Sequence, residues 1–162
     1  MENLNDLLGR LTQARVEFVL VGAYAAIIYG ASVATRDLDV CMSFAPENLF
    51  RLRDAVADIH PVHRMTPQRL PLDLNEKSIA DLTNLYLATD LGPLDCMSEV
   101  IAVGDYKTVL ARSLVIKFNF GDVRVLDIDS LVATKSHLMR LQDKLVIPQL
   151  LAIKERLRVK SS

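Results

Sequence analysis

The stretch that most constrains the fold runs from Phe18 to Cys41, where an apolar run, a glycine and an apolar helical segment follow one another. Residues 18–21 are strand-favouring types, and such a run ending at a glycine predicts a buried strand. Residues 23–29 are almost entirely apolar but far too short to cross a membrane, so they predict a short core helix between Gly22 and Gly30. This order is typical of a chain that mixes strands and helices around one core.

Two aspartates follow this helix, within a period-two alternation that ends at Cys41. On a strand, residues two apart share a face, so Asp37 and Asp39 are expected to point the same way, about 5–7 Å apart. Each carboxylate makes ionisation of the other more costly, and a hard cation such as Mg²⁺ removes that cost. The alternative interpretation is a solvated edge strand on which the aspartates favour solubility.

Length and composition indicate an ordinary globular chain. The 162 residues fit a single domain over residues 1–162, and 51% of them are hydrophobic against 24% charged. A net charge of −1 gives no general attraction to nucleic acid or anionic membranes. Basic residues are concentrated between Asp143 and Ser162, which predicts a solvated helix face or, as the alternative, a local nucleic-acid contact.

No apolar run approaches the roughly 20 residues of a membrane span, and the first residues are acidic, without the basic start of a signal peptide. We therefore expect a cytoplasmic protein with no membrane segment. If Asp39 and Asp95 face one site, Cys41 shares that face and Cys96 points the other way. A disulfide between these cysteines is then not expected, which agrees with a reducing compartment.

The rest of the chain predicts four more helices, at Asn3–Ala14, from Pro46 onward, at Leu131–Leu141 and at about Asp143–Val159. The expected caps are Asn3 or Asn5, Ser43, and Asp129 or Ser130. Pro148 predicts that the last helix either starts near it or is kinked there.

Two hairpins are predicted, one pairing residues 85–89 with 93–97 and one pairing 113–118 with 123–128 around Gly121–Asp122. Three prolines between residues 61 and 71 predict an irregular connector. Its two histidines, His60 and His63, have no further Cys or His nearby to complete a zinc site.

The order of strand, Gly22-Ala23, short helix, Gly30 and Thr35-Arg36-Asp37-Leu38-Asp39 resembles the signature of the nucleotidyltransferase superfamily, which includes DNA polymerase beta and small MNT-type domains. Gly92-Pro93-Leu94-Asp95 resembles the family segment with the third aspartate, and Lys135 to Lys144 resembles its lysine and R-x-x-D-K turn. The resemblance covers about residues 18–150. It implies an α+β fold with a central mixed sheet flanked by helices and with C-terminal helices.

The resemblance also implies the site. The implied catalytic residues and ligands for Mg²⁺ or Mn²⁺ are Asp37, Asp39 and Asp95. The implied nucleotide-binding residues are Gly22, Ala23, Arg36 and Lys135. Asp95 is expected to help deprotonate the acceptor hydroxyl.

The implied activity is transfer of a nucleoside monophosphate from a nucleoside triphosphate to an acceptor hydroxyl on a protein, an RNA end or a small molecule. The chain is also similar to toxin-like nucleotidyltransferases of toxin and antitoxin pairs, so a homodimer or an antitoxin partner is expected. The alternative is a catalytically weakened binding or interaction module that keeps the fold. Ala23, Tyr29 and Val33 depart from the family pattern and favour that alternative, whereas the three carboxylates favour the enzyme.

Overall fold

A computed structural model describes residues 3–161 of the chain. The helices are α1 (Leu4–Gln13), α2 (Gly22–Tyr29), α3 (Pro46–Val56), α4 (Tyr106–Ala111), α5 (Ile128–Leu138) and α6 (Leu141–Ser161), with a 3₁₀ turn at Ala57–Ile59. The strands are β1 (Phe18–Val21), β2 (Leu38–Met42), β3 (Val62–His63), β4 (Asn84–Thr89), β5 (Gly92–Met97), β6 (Glu99–Val100), β7 (Gly104–Asp105), β8 (Ser113–Phe118) and β9 (Gly121–Leu126).

Seven strands form one sheet in the order β3-β4-β5-β2-β1-β9-β8, and β6 pairs with β7 separately. β1 runs antiparallel to β2 but parallel to β9, and β2 runs parallel to β5, so the sheet is mixed. The predicted α+β class, with a mixed sheet flanked by helices, is therefore confirmed. Within residues 3–161, no helix has both the length and the apolar character needed to cross a membrane.

The strand predicted at residues 18–21 and the short helix predicted between Gly22 and Gly30 are confirmed. All four residues of β1 are buried, as a strand in the middle of a covered sheet requires. α2 buries Ala25 and Ala26, and Gly30 ends it in the left-handed conformation that glycine adopts without steric cost. Asn3 caps α1 as predicted, because its side-chain oxygen accepts a hydrogen bond from the Asp6 backbone N–H at 3.0 Å.

Two predicted caps are wrong. α5 is capped by Asp127, which accepts from the Ser130 backbone N–H at 2.8 Å, so the helix starts at Ile128 rather than Leu131. Its end at Leu138 is set by Met139, whose φ of 50° breaks the helical path before α6. α3 begins after Ala45, not Ser43, because the Ser43 hydroxyl accepts only from the Ala45 N–H and does not reach the helix.

Three other expectations need correction. Gly121 and Asp122 lie inside β9, and the turn of the second hairpin is formed by residues 119–120. The connector predicted to be irregular contains β3, which adds to the edge of β4. Of the two alternatives at Pro148, a helix start near that residue is wrong, because α6 runs through it from Leu141, and a kink there stays a prediction. Cys41 and Cys96 are free, as expected, and both are buried.

Candidate metal and nucleotide site

Three carboxylates converge at the centre of the sheet. Asp39 on β2 and Asp95 on β5 are register partners on adjacent parallel strands, which brings their side chains to the same level of one face. Asp37 lies one residue before β2 rather than inside it. One oxygen from each carboxylate lies within 4.8 Å of the other two. The sheet register thus brings Asp39 and Asp95 together, and Asp37 joins them from the residue before β2, so the three residues that the resemblance implied converge.

The loop that leads to Asp37 is held by α6. The Gln149 side chain accepts a hydrogen bond from the Ser32 N–H at 2.7 Å and donates one to the Ser32 carbonyl at 3.2 Å. Gln142 donates to the Ala34 carbonyl at 3.0 Å. Because these amides replace water on the loop backbone, they fix the path of the chain into the site.

Gly22 allows Asp39 to approach the start of α2. Its φ is +72°, and a Cβ built there would lie 2.9 Å from the Asp39 Cβ and would overlap the carboxylate. Only glycine accepts both this backbone conformation and this contact. Gly22 and the half-buried Ala23 form the first turn of α2, where free backbone N–H groups favour an anion.

The charges in this cluster oppose one another. Burial first, and then the neighbouring carboxylates of Asp95 and Asp37, raise the pKa of Asp39 to about 7, although the cations of Arg140 and Lys135 act in the opposite direction. Burial also raises the pKa of Asp95. An additional positive charge near the cluster would therefore favour the ionised forms of Asp39 and Asp95.

Arg64 supplies such a charge, and sequence reasoning missed it. Its Nη2 donates a hydrogen bond to Asp95 Oδ1, and the two side chains are 24% and 12% exposed. The Arg64 backbone N–H donates to the Tyr86 carbonyl at 2.9 Å, which continues the pairing of β3 with β4. The only sequence signal was the short run Val62–His63 between two prolines, which is too brief to predict a strand.

Lys135 is buried, with only 4% of its surface exposed, although the sequence pattern placed it at the edge of the apolar stripe of its helix. Its Nζ lies 3.7 Å from Oδ1 of Asp143, which is also buried. Asp143 accepts further hydrogen bonds from the Arg140 backbone N–H at 3.1 Å and from Arg140 Nε at 2.9 Å. Burial lowers the pKa of Lys135. Asp143 in the R-x-x-D turn therefore has two roles. It balances the charge of the buried Lys135, and it accepts hydrogen bonds at the first turn of α6.

A cavity of about 210 Å³ lies between the sheet and α5. Its charged lining residues are Asp39, Lys135 and Arg140, and Gly22 lies at its wall. The apolar lining residues are Val21, Met97, Val100, Ile101, Leu126, Leu131 and Leu138. The cavity thus joins the carboxylate cluster to the buried lysine.

Arg36 is not part of this arrangement. It is exposed, and its side chain has no hydrogen bond or ion pair within residues 3–161. It directly precedes Asp37, which belongs to the cluster, but it does not line the cavity.

The cluster has the chemistry of a hard-cation site. It offers three carboxylate oxygens, the donor type that Mg²⁺ and Mn²⁺ prefer. The Arg64 guanidinium bonded to Asp95 shows that this carboxylate accepts a cation as a partner. The residues present therefore fit a divalent metal ion.

No protein-family model matches the chain, and no curated protein sequence matches it significantly. The resemblance to nucleotidyltransferases therefore rests on the motifs quoted above.

Proposed function

We propose that this protein is a nucleotidyltransferase that depends on Mg²⁺ or Mn²⁺ and transfers a nucleoside monophosphate from a nucleoside triphosphate to an acceptor hydroxyl. The observation that carries the proposal is the convergence of Asp37, Asp39 and Asp95 within 4.8 Å. The buried Lys135 beside the same cavity supports it, because a cation there can balance phosphate charge.

Asp37, Asp39 and Asp95 would hold the metal. When bound, the metal supplies positive charge that neutralises the triphosphate and the developing charge on the attacking and leaving oxygens. Gly22 leaves room for the Asp39 carboxylate at the start of α2, so carboxylate, helix N-terminus and phosphate can lie next to one another.

Lys135 is the proposed partner of the leaving pyrophosphate. Its Nζ is 3.7 Å from Asp143, longer than a close ion pair, so it retains the capacity to donate hydrogen bonds into the cavity. Arg140, which lines the same cavity, adds positive charge at this end. Arg36, the exposed residue that directly precedes Asp37, is the proposed contact for the outer phosphates.

In the transfer, the acceptor oxygen forms a bond to the α-phosphorus while the bond from that phosphorus to the β-bridging oxygen breaks. Pyrophosphate leaves with the electron pair of the broken bond. The proton of the acceptor hydroxyl passes to Asp95, whose pKa is raised by burial and which is therefore a better base than an exposed aspartate.

Titration calorimetry with Mg²⁺ and each of the four nucleoside triphosphates tests the proposal. We expect nucleotide binding that requires the metal and that Asp39→Asn abolishes. Incubation with α-labelled triphosphates and protein, RNA or small hydroxyl acceptors then identifies the acceptor. Metal-dependent nucleotide binding and transfer that persist in Asp39→Asn would rule the assignment out.

Ala23 favours a second candidate, a binding or interaction module in which the fold is kept and catalysis is weakened. It places a methyl group where the resembled family has glycine or a serine hydroxyl that helps to hold a phosphate. Such a module, acting as a homodimer or with an antitoxin-like partner, should show no metal-dependent nucleotide binding in the same calorimetry. Ala23→Ser should strengthen nucleotide binding if the enzyme assignment holds.

A further inference from the structure

Arg64 bonds directly to one of the three proposed metal ligands. Its guanidinium donates to Asp95 Oδ1, and both side chains are largely shielded from water. In such a setting a charge-assisted hydrogen bond is stronger than at an exposed surface. The arginine therefore balances part of the negative charge of the carboxylate cluster.

The guanidinium is only partly satisfied by its surroundings. Its Nε is buried and has no hydrogen-bond partner among residues 3–161. Nη1 makes only a weak contact, at 3.8 Å, with the sulfur of Met65. Asp95 is thus the principal partner of this side chain, and loss of that one contact would release it.

A divalent metal and Arg64 compete for the same carboxylate. Both are cations, and a metal bound by all three aspartates would repel a guanidinium in contact with Asp95. We propose that Arg64 is an intramolecular counter-cation that occupies Asp95 in the metal-free protein and must leave it for the metal to bind. This inference rests on the metal site of the proposed function.

The Arg64 side chain has a second possible partner nearby, the ring of Tyr86. Its backbone is tied to Tyr86 through the 2.9 Å hydrogen bond, but the residues that follow it, 65–70, are exposed. The guanidinium carbon already lies 6.0 Å from the centroid of the Tyr86 ring, which is partly open to solvent. A short rotation of the side chain would exchange Asp95 for this ring face, which attracts cations.

Binding of Mn²⁺ alone, followed by electron paramagnetic resonance at pH 8, tests the inference. We expect Arg64→Met to bind Mn²⁺ about tenfold more tightly than the wild-type protein, because the metal no longer displaces a charge-assisted hydrogen bond. Arg69→Met is the matched control. It removes the same charge from the same connector, and the Arg69 side chain makes no hydrogen bond or ion pair in the described chain. Its affinity should stay within about twofold of wild type, as expected for a solvent-exposed charge that makes no contact with the cluster.

The outcomes separate the two proposals. If Arg64→Met binds Mn²⁺ no more tightly than wild type, the competition is refuted while the metal site stands. If none of the three proteins binds Mn²⁺, the metal site itself is refuted, and the competition with it.

Thermal unfolding gives a second readout that does not depend on activity. Without metal, Arg64→Met should melt below wild type because Asp95 loses its partner, and Mn²⁺ should raise its melting temperature by more than it raises that of wild type. If Arg64→Met does not fold, the same measurements are made on Arg64→Lys. Lysine keeps the charge but not the planar fork, so we expect an intermediate Mn²⁺ affinity; an affinity equal to or weaker than wild type would overturn the inference.

Discussion

At Asp39, burial and two neighbouring carboxylates all raise the pKa, to about 7 from an ordinary value of 3.8. Because that pKa is higher than in the unfolded chain, the folded protein binds more protons between these two values. The contribution of Asp39 to stability is therefore present below about pH 4 and is lost as the pH rises through 7. In the metal-free protein, the ionised Asp39 is a source of instability.

We expect Asp39→Asn to stabilise the metal-free protein at pH 8 by about 2–4 kcal/mol, since the amide has the shape of the acid without its charge. The gain should shrink toward pH 4, where the native carboxyl is protonated. Urea unfolding with EDTA across this pH range measures the effect. A gain that stays constant with pH would contradict the assigned pKa.

The close contact between Gly22 and Asp39 leads to a second prediction at this site. Gly22→Ala should lower the free energy of unfolding by about 1–3 kcal/mol, because alanine is strained at φ +72° and its methyl would collide with Asp39. Gly9→Ala is the control, since a Cβ there would lie at an ordinary 3.4 Å from the Phe120 ring, in the middle of α1. That change should be neutral or stabilising. Equal effects of the two substitutions in urea would contradict the close approach at Gly22.

Among the elements, those with a strong local pattern were predictable and those defined by distant partners were not. β1, α2 and the β4–β5 hairpin follow from local apolar runs and glycine turns. β3 has only two residues and exists because it pairs with β4, so Arg64 could not be placed beside Asp95 from sequence. The burial of Lys135 likewise depends on α6, which closes over it through Asp143.

The contact between α6 and the loop before Asp37 can be tested by itself. Gln149→Ala removes both hydrogen bonds to the Ser32 backbone and should cost about 1 kcal/mol of stability. Because the loop positions Asp37, amide hydrogen exchange at residues 31–36 should become faster and Mn²⁺ affinity should fall several-fold. Gln13→Ala, at an exposed side chain of α1, is the control and should change neither. Faster exchange without any loss of Mn²⁺ affinity would show that the loop does not position a ligand.

For the whole molecule, a net charge of −1 conceals a local concentration of negative charge at the centre of the sheet. Composition correctly predicted a globular chain but could not reveal this cluster, since it forms only when β2 and β5 pair. The sequence motifs predicted the three aspartates, but their convergence could be seen only once β2 was paired with β5.

A metal bound to this cluster should stabilise the entire fold by mass action. At 100 times its dissociation constant, Mn²⁺ should add about 2.7 kcal/mol to the free energy of unfolding, and EDTA should reverse the gain. Asp95→Asn should remove most of it, while Asp122→Asn, at an exposed position of β9, should leave it intact. A similar gain in both variants would indicate binding elsewhere on the protein.

The parallel pairing of β2 with β5 has one more consequence. Asp39 and Asp95 belong to distant segments of the chain, and neither strand alone holds a complete set of ligands. Two fragments divided within the exposed residues 65–70 would each lack affinity for a metal and would regain it only on reassociation. Mn²⁺ binding would then report the docking of one half of the protein on the other.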